Sequence, residues 1–140
     1  MEALFRQFGR FHAWIYRTTG GRIGRRVAWV PCLVLVTTGR TSGAVRESVL
    51  VYADDADRRV VVASNGGSDR PPGWLFNLQA QPTVEVQVAT ERYPATARVV
   101  AHDDPDYARL WQLVNRINGN RYDAYQSKTT RPIPLVVLER

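Results

Sequence analysis

Three apolar runs follow one another between Val30 and Ser64 with only tight turns between them. Residues 30–37, 46–53 and 58–64 each read as a strand. Gly39 and Gly43 punctuate the first gap, and Asp54-Asp55-Ala56-Asp57 makes the second a hairpin turn. Pro71 and Pro72 then open a short helix that reaches about Ala80, where Pro82 stops it. In Thr83–Ala89, Val84, Val86 and Val88 alternate with Glu85 and Gln87, the mark of a half-buried strand. Residues 92–101 pair with it through a turn near Thr90, and Ile133–Leu138 is the last strand. Only the third and fourth strands have a helix between them, so a doubly wound sheet does not fit. The pattern predicts an α+β domain built on a closed or partly closed barrel of about six mostly antiparallel strands.

Two further helices complete the expectation. Leu4, Phe8, Phe11 and Ile15 form one apolar stripe over residues 3–17, and Arg6, Arg10 and Arg17 flank it. That pattern suits a helix at an anionic lipid surface or one packed on the barrel or on a second subunit. Residues 18–26 read as a loop. Asp104 and Pro105 predict the cap and first turn of a helix running to about Asn118, with Tyr107, Leu110, Trp111 and Val114 inward. The 140 residues make one domain, with 1–26 as N-terminal helix and loop and 27–140 as barrel.

The net charge of +6 points to an anionic partner, and all basic residues but Lys128 are arginine. The arginines are spread out and the aromatics fit core stripes, which disfavours a nucleic-acid surface. The single cysteine, Cys32, lies in an apolar run and reads as a small buried hydrophobe. No stretch of about 18 apolar residues and no signal-peptide pattern occurs, so a cytoplasmic location is expected.

Protein-borne catalysis has few candidates. His12 and His102 are the only histidines, and neither has ligands at metal spacing. No serine sits in a nucleophile elbow. Any redox or transfer chemistry therefore falls to a cofactor. Thr38-Gly39-Arg40-Thr41-Ser42-Gly43 offers backbone amides, hydroxyls and a guanidinium to a phosphate or carboxylate, and Arg46 follows. Ser64-Asn65-Gly66-Gly67 is a second small-residue loop. Trp74 and Asn77 share a helix face, and Tyr122 and Tyr125 stand three apart before the last strand.

The runs TTGRTSGAVRESVLV, ASNGGSDRPPGWLFNLQAQPTVEVQV and YDAYQSKTTRPIPLVVLE resemble the deazaflavin-dependent nitroreductase family of actinobacteria, over about residues 10–140. These are split β-barrel oxidoreductases that use reduced coenzyme F420. The resemblance implies that Arg40, Thr41 and Ser42 hold the cofactor's acidic tail, with Arg46 helping. Glu47, Ser48, Val49, Leu50 and Val51 would line the ring edge. Val62, Ala63, Ser64 and Asn65 would contact the ring. Gly73, Trp74 and Asn77 would cover the other end of the groove, and Tyr122 and Tyr125 would close over ring and substrate.

The implied reaction is hydride transfer to a quinone or nitroaromatic acceptor, with Ser64, Tyr122 or water as proton source. No metal is implied. FMN is the alternative cofactor on the same barrel, and a peripheral contact with anionic membrane and a homodimer remain open. The chain departs from the family's usual residues at Thr41 and Asn65, where basic residues are common. It also departs at Val49, usually proline, and at Val51, often aromatic.

Overall fold

The computed structural model describes residues 26–27 and 30–140. The expected helix over 3–17 and His12 lie outside the described residues. Seven strands appear in chain order: β1 (Arg26–Val27), β2 (Val30–Thr38), β3 (Val45–Asp55), β4 (Arg58–Val62), β5 (Thr83–Val88), β6 (Glu91–Val100) and β7 (Leu135–Glu139). Three α-helices accompany them: α1 (Gly73–Ala80), α2 (Tyr107–Ile117) and α3 (Arg121–Gln126). The sheet order is β1-β2-β3-β4-β7-β6-β5, every pair is antiparallel, and β2 also pairs with β5. That last pairing closes β2 to β7 into a six-stranded barrel, with β1 as a two-residue extension on β2.

Closure gives each strand an inside and an outside, and period-two alternation sorts the side chains. Leu33, Leu35, Val61, Val84, Val86, Val136 and Leu138 fill the interior, where Trp74, Leu75 and Leu78 of α1 plug it. Val60, Val62, Leu135 and Val137 face outward under Tyr107, Leu110 and Val114 of α2 and Tyr122 of α3. Strands β4 and β7 are apolar at successive positions because both their faces are covered.

The structure amends several expected boundaries. The α2 helix begins at Tyr107, not at Pro105. Asp104 still ends the preceding chain: its Oδ1 accepts from the Asp106 amide at 2.9 Å, and its carbonyl accepts from the Tyr107 amide at 3.0 Å. Arg26, expected in a loop, lies in β1. The hairpin turn contracts to Ala56-Asp57 because β3 runs on to Asp55, and Ala56 takes the left-handed conformation with φ 56°. Residues 121–126 form a helix that the sequence reading lacked. Gly119 and Asn120, both with φ 59°, break the chain between α2 and α3.

At the far end of the barrel, Asp55 joins the β3–β4 hairpin to α2. Its carboxylate accepts from Arg109 at 2.8 and 3.2 Å and from Arg58, which also bonds Glu139 at 3.2 Å. These partners, Arg109 first, hold the Asp55 pKa down at about 2. An unfolded aspartate titrates near 3.9. The group therefore adds stability above about pH 4 and loses it as pH falls toward 2. Asp55→Asn should lower the melting temperature by roughly 2–6 °C at pH 7. Thermal melts should show that difference shrinking steadily between about pH 4 and 2; a difference independent of pH would refute the linkage.

Candidate active site

Antiparallel order places the two small-residue loops together. Strand β2 ends where β3 begins, and β4 returns to that same end, so the 39–44 and 63–72 loops share one mouth of the barrel. Strand β7 starts there too, which brings α3 and the 127–134 connector to the mouth. Helix α1 follows directly on the second loop in sequence, and its Trp74, Leu75 and Leu78 plug the barrel.

The first loop is a tight turn. The Gly39 amide donates to Ala44 O at 2.7 Å, the Gly43 amide to Gly39 O at 2.8 Å, and Gly43 takes φ 71°. Ser42 Oγ accepts from the Ala44 amide at 3.1 Å. Arg40, Thr41, Ser42 and Arg46 are all exposed. Arg40 is also tied to α1. Its amide donates to Asn77 Oδ1 at 3.1 Å, and its Nη1 reaches the same oxygen at 3.3 Å and Gly73 O at 3.5 Å. The guanidinium lies 4.9 Å from the Phe76 ring centre. Buried Asn77 donates in turn to Thr37 Oγ1 at 3.2 Å. Its side chain is therefore committed to pinning the loop, while Gly73 supplies a carbonyl. Trp74 is buried in the barrel interior.

Strand β3 divides the five residues expected along one ring edge. Directly paired residues share a face, so Ser48 and Leu50 stand with interior Leu35 and Leu33. Glu47, Val49 and Val51 stand on the opposite face with Val36, Val34 and Cys32. Period two prevents residues 47–51 from forming a single wall, and all five are half-buried. Val62 likewise belongs to the outer cluster and Ala63 to the inner one.

The second loop is a concave set of amides. Ser64 is right-handed (φ −80°, ψ −32°), Asn65 is left-handed (φ 45°) and so is Gly66 (φ 65°, ψ 18°). A right-handed residue followed by a left-handed one turns successive amides toward a common point, a geometry that receives anions and carbonyl oxygens. The amides of Ser64, Asn65 and Gly66 donate no hydrogen bond among the described residues, whereas those of Gly67 and Ser68 turn back to Ser64 O and Asn65 O. Asn65 Nδ2 donates to Arg70 O at 2.9 Å.

Arg131, which the sequence reading passed over, braces this loop. Its Nε donates to Ser68 O at 2.8 Å, Nη2 to Ser64 O at 2.8 Å, and both terminal nitrogens to Ala63 O at 3.3 Å. Its acceptors lie 63 to 68 residues away, so no local pattern announces it.

Helix α3 closes on the same loop. A Cβ on Gly67 would meet Tyr125 O at 2.7 Å, and Gly67 has φ 85°. Tyr125 is half-buried, with its ring centre 6.1 Å from that of Tyr122. Tyr122 is buried in the outer cluster, and burial pushes its phenol up to about 12, against a hydrogen bond with Asn118. The phenol stays protonated at neutral pH, and its ring packs in the outer cluster. His102 is exposed and lies against Tyr107 at 4.5 Å. Cys32 is buried.

This mouth suits a ligand with an anionic end and a flat ring carrying oxygens. The exposed Arg40, Ser42 and Arg46 match the first part, and the three unpartnered amides match the second.

The comparisons with known proteins bear on that fit. Residues 7–140 match the family model described as F420H(2)-dependent quinone reductase. An F420H(2)-dependent quinone reductase of Mycobacterium tuberculosis (strain H37Rv) is 53% identical over 135 residues, which cover 96% of this chain and 91% of that protein. Among solved structures, an F420-H2 dependent reductase superposes with a TM-score of 0.70 at 34% identity, over 78% of this chain and 94% of that one. A domain-swapped dimer superposes with a TM-score of 0.73 at 32% identity, over 93% of this chain and 95% of that one.

Gly67→Ala should be among the most damaging single-methyl additions in the chain. It combines a backbone clash with a left-handed φ, costing about 1–3 kcal/mol. Denaturant unfolding of Gly67→Ala beside Gly66→Ala checks this, since a Cβ at Gly66 meets nothing within 4 Å. Equal loss in the two variants would mean that the approach of α3 is not tight.

Proposed function

As this chain belongs to the F420H(2)-dependent quinone reductase family, we propose that the barrel mouth binds coenzyme F420 and that the enzyme reduces a quinone with it. The observation that carries this reading is the pairing of two complementary loops at one mouth: exposed arginines on one and three unpartnered amides on the other. Reduced deazaflavin supplies a hydride when bound. The chain contributes grip, orientation and exclusion of water.

Each residue then has a task. Arg40, Thr41, Ser42 and Arg46 hold the acidic tail, and Arg46 has the freer role because Arg40 is already tied to Asn77 and Gly73. The Ser64–Gly66 amides receive ring oxygens. Gly73 leaves room beside the groove, with nothing within 4 Å of its missing Cβ. Glu47, Val49 and Val51 offer one face of β3, and Ser48 and Leu50 support them from within. Val62, Ala63, Trp74 and Tyr122 hold the mouth's shape from the two cores. Ser64 and Tyr125 are the candidate hydroxyl sources for protonating the reduced acceptor. A nitroaromatic is a second acceptor class with the flat, electron-poor character the same groove would take. The domain-swapped relative supports a homodimer as the assembly. The apolar stripe and arginines of residues 3–17 support contact with anionic membrane from the cytoplasmic side, where a lipid-soluble quinone would be met.

The decisive experiment mixes the purified protein with reduced coenzyme F420 and menadione. Protein-dependent reoxidation is expected, with tight uptake of the deazaflavin and none of FMN. Uptake of FMN with no affinity for the deazaflavin would overturn the assignment. Arg46→Ala should weaken deazaflavin binding by roughly 1.5–3 kcal/mol, with the loss shrinking as salt rises. Unchanged affinity in a folded Arg46→Ala would remove the tail-binding role. Ser64→Ala should lower turnover more than affinity if its hydroxyl acts in the transition state. Turnover equal to wild type would leave Tyr125 or water as the proton source.

A further inference from the structure

The Arg131 guanidinium makes four hydrogen bonds, all to neutral carbonyls of the loop between Ala63 and Ser68. It has no ion pair with a carboxylate among the described residues. The nearby Asp69 accepts from Thr129 Oγ1 at 2.7 Å instead. Burial lowers the Arg131 pKa and the field of Asp69 opposes this. A guanidinium nevertheless stays protonated at any physiological pH. The side chain is therefore a half-buried cation whose contacts are dipoles only.

The direction of those dipoles matters. In a trans peptide the C=O and the following N–H point to opposite sides. Gripping Ala63 O and Ser64 O from one side turns the Ser64 and Asn65 amides to the other. These are two of the three amides left unpartnered in the concave loop. Arg131 also carries Ser68 O, which closes the far end of the same turn. One planar fork thus sets the loop, and a Lys ammonium cannot span three carbonyls in that way.

We propose that Arg131 is the positioning residue of the reductase site: it keeps the Ser64–Gly66 amides convergent, and its unneutralised charge favours the reduced state of the bound ring. The proposal rests on the deazaflavin reading. Reduction to F420H2 takes up a hydride and a proton. With the hydride alone bound and the proton left to solvent, the reduced ring would carry one more negative charge than the oxidised ring, and that anionic form is the one a fixed cation would favour. A fixed cation behind the amides interacts more strongly with the more negative state.

Two measurements on Arg131→Met, Arg131→Gln and Arg131→Lys test this. The first is amide hydrogen exchange at Gly67 and Ser68 in the cofactor-free protein, read by NMR. All three variants should exchange faster there while strands β4 and β7 stay protected. The second is the dissociation constant of oxidised and of reduced coenzyme F420. Arg131→Met and Arg131→Gln should weaken the reduced form roughly tenfold more than the oxidised form, the size expected for one charge at short range in a protein. Arg131→Lys should weaken both forms and keep their ratio near that of wild type. If Arg131→Met does not fold, Arg131→Gln supplies the neutral case. Unchanged exchange overturns the positioning role, and equal weakening of both redox states in the neutral variants overturns the charge role. If wild type binds no deazaflavin at all, the assigned function fails, and the exchange data alone decide whether Arg131 holds the loop.

Discussion

Three cross-strand pairs, Val34 with Gln87, Leu35 with Val86 and Val36 with Glu85, seal β2 to β5. Without that seam both strands would be open edges, each with a row of unpaired amides and carbonyls. With it, the sheet has an inside and an outside everywhere, and the turns fall at fixed ends. The seam accommodates a buried polar residue: Gln87 accepts from Arg92 Nε at 3.0 Å and donates to Ala89 O at 3.0 Å. A satisfied amide there costs little, whereas an unpartnered one would weaken the closure. The mouth that gathers residues 39–44, 63–72 and 127–134 is a consequence of this closure.

The strand count and the α+β class were legible because turn residues punctuate the apolar runs. Facing was legible only where one side meets water. In β5 the exposed Glu85 between buried Val84 and Val86 marks the interior face directly. In β4 the successive Val60, Val61 and Val62 are all buried and give no phase, because α2 and α3 cover the outside. Helix α3 escaped notice because six residues with one buried side chain, Tyr122, hold too little periodicity to read. The candidate loops were visible from their glycines and serines. Their braces were not. Arg131 meets carbonyls more than sixty residues away, and Asn77 reads equally well as a ligand contact or a loop pin.

Those braces explain how loops rich in small residues can be a site at all. Glycine and serine segments lose much conformational entropy on ordering. Asn77 offsets this for the first loop by joining Thr37, the Arg40 amide and the Arg40 guanidinium through one buried carboxamide. Arg131 does so for the second. Both are single side chains acting on several distant groups, which fixes shape with few residues. Arg40 is thus part of the scaffold, and under the proposed function it is also an anion grip, so its removal would mix two effects. Arg46 carries no such tie to α1 and reports on the grip more cleanly.

Asn65 shows how backbone demand and charge demand can be met by different residues. Its φ of 45° is a conformation that costs most side chains about 1–2 kcal/mol, and asparagine is among the few that enter it readily. The family resemblance leads one to expect a lysine there, in front of the amides. Asparagine meets the conformational demand, and its Nδ2 anchors the turn on Arg70 O. The positive charge then comes from behind, where Arg131 reaches the loop through carbonyls without occupying the concave side. A cation placed this way leaves the three amides open to a ring, and its field still acts across the loop. Returning a lysine to position 65 would add charge in front and impose backbone strain at the residue that forms the turn. The gain in attraction for an anionic ring would therefore be set against a poorer amide geometry, and the net effect on binding measures which of the two governs the site.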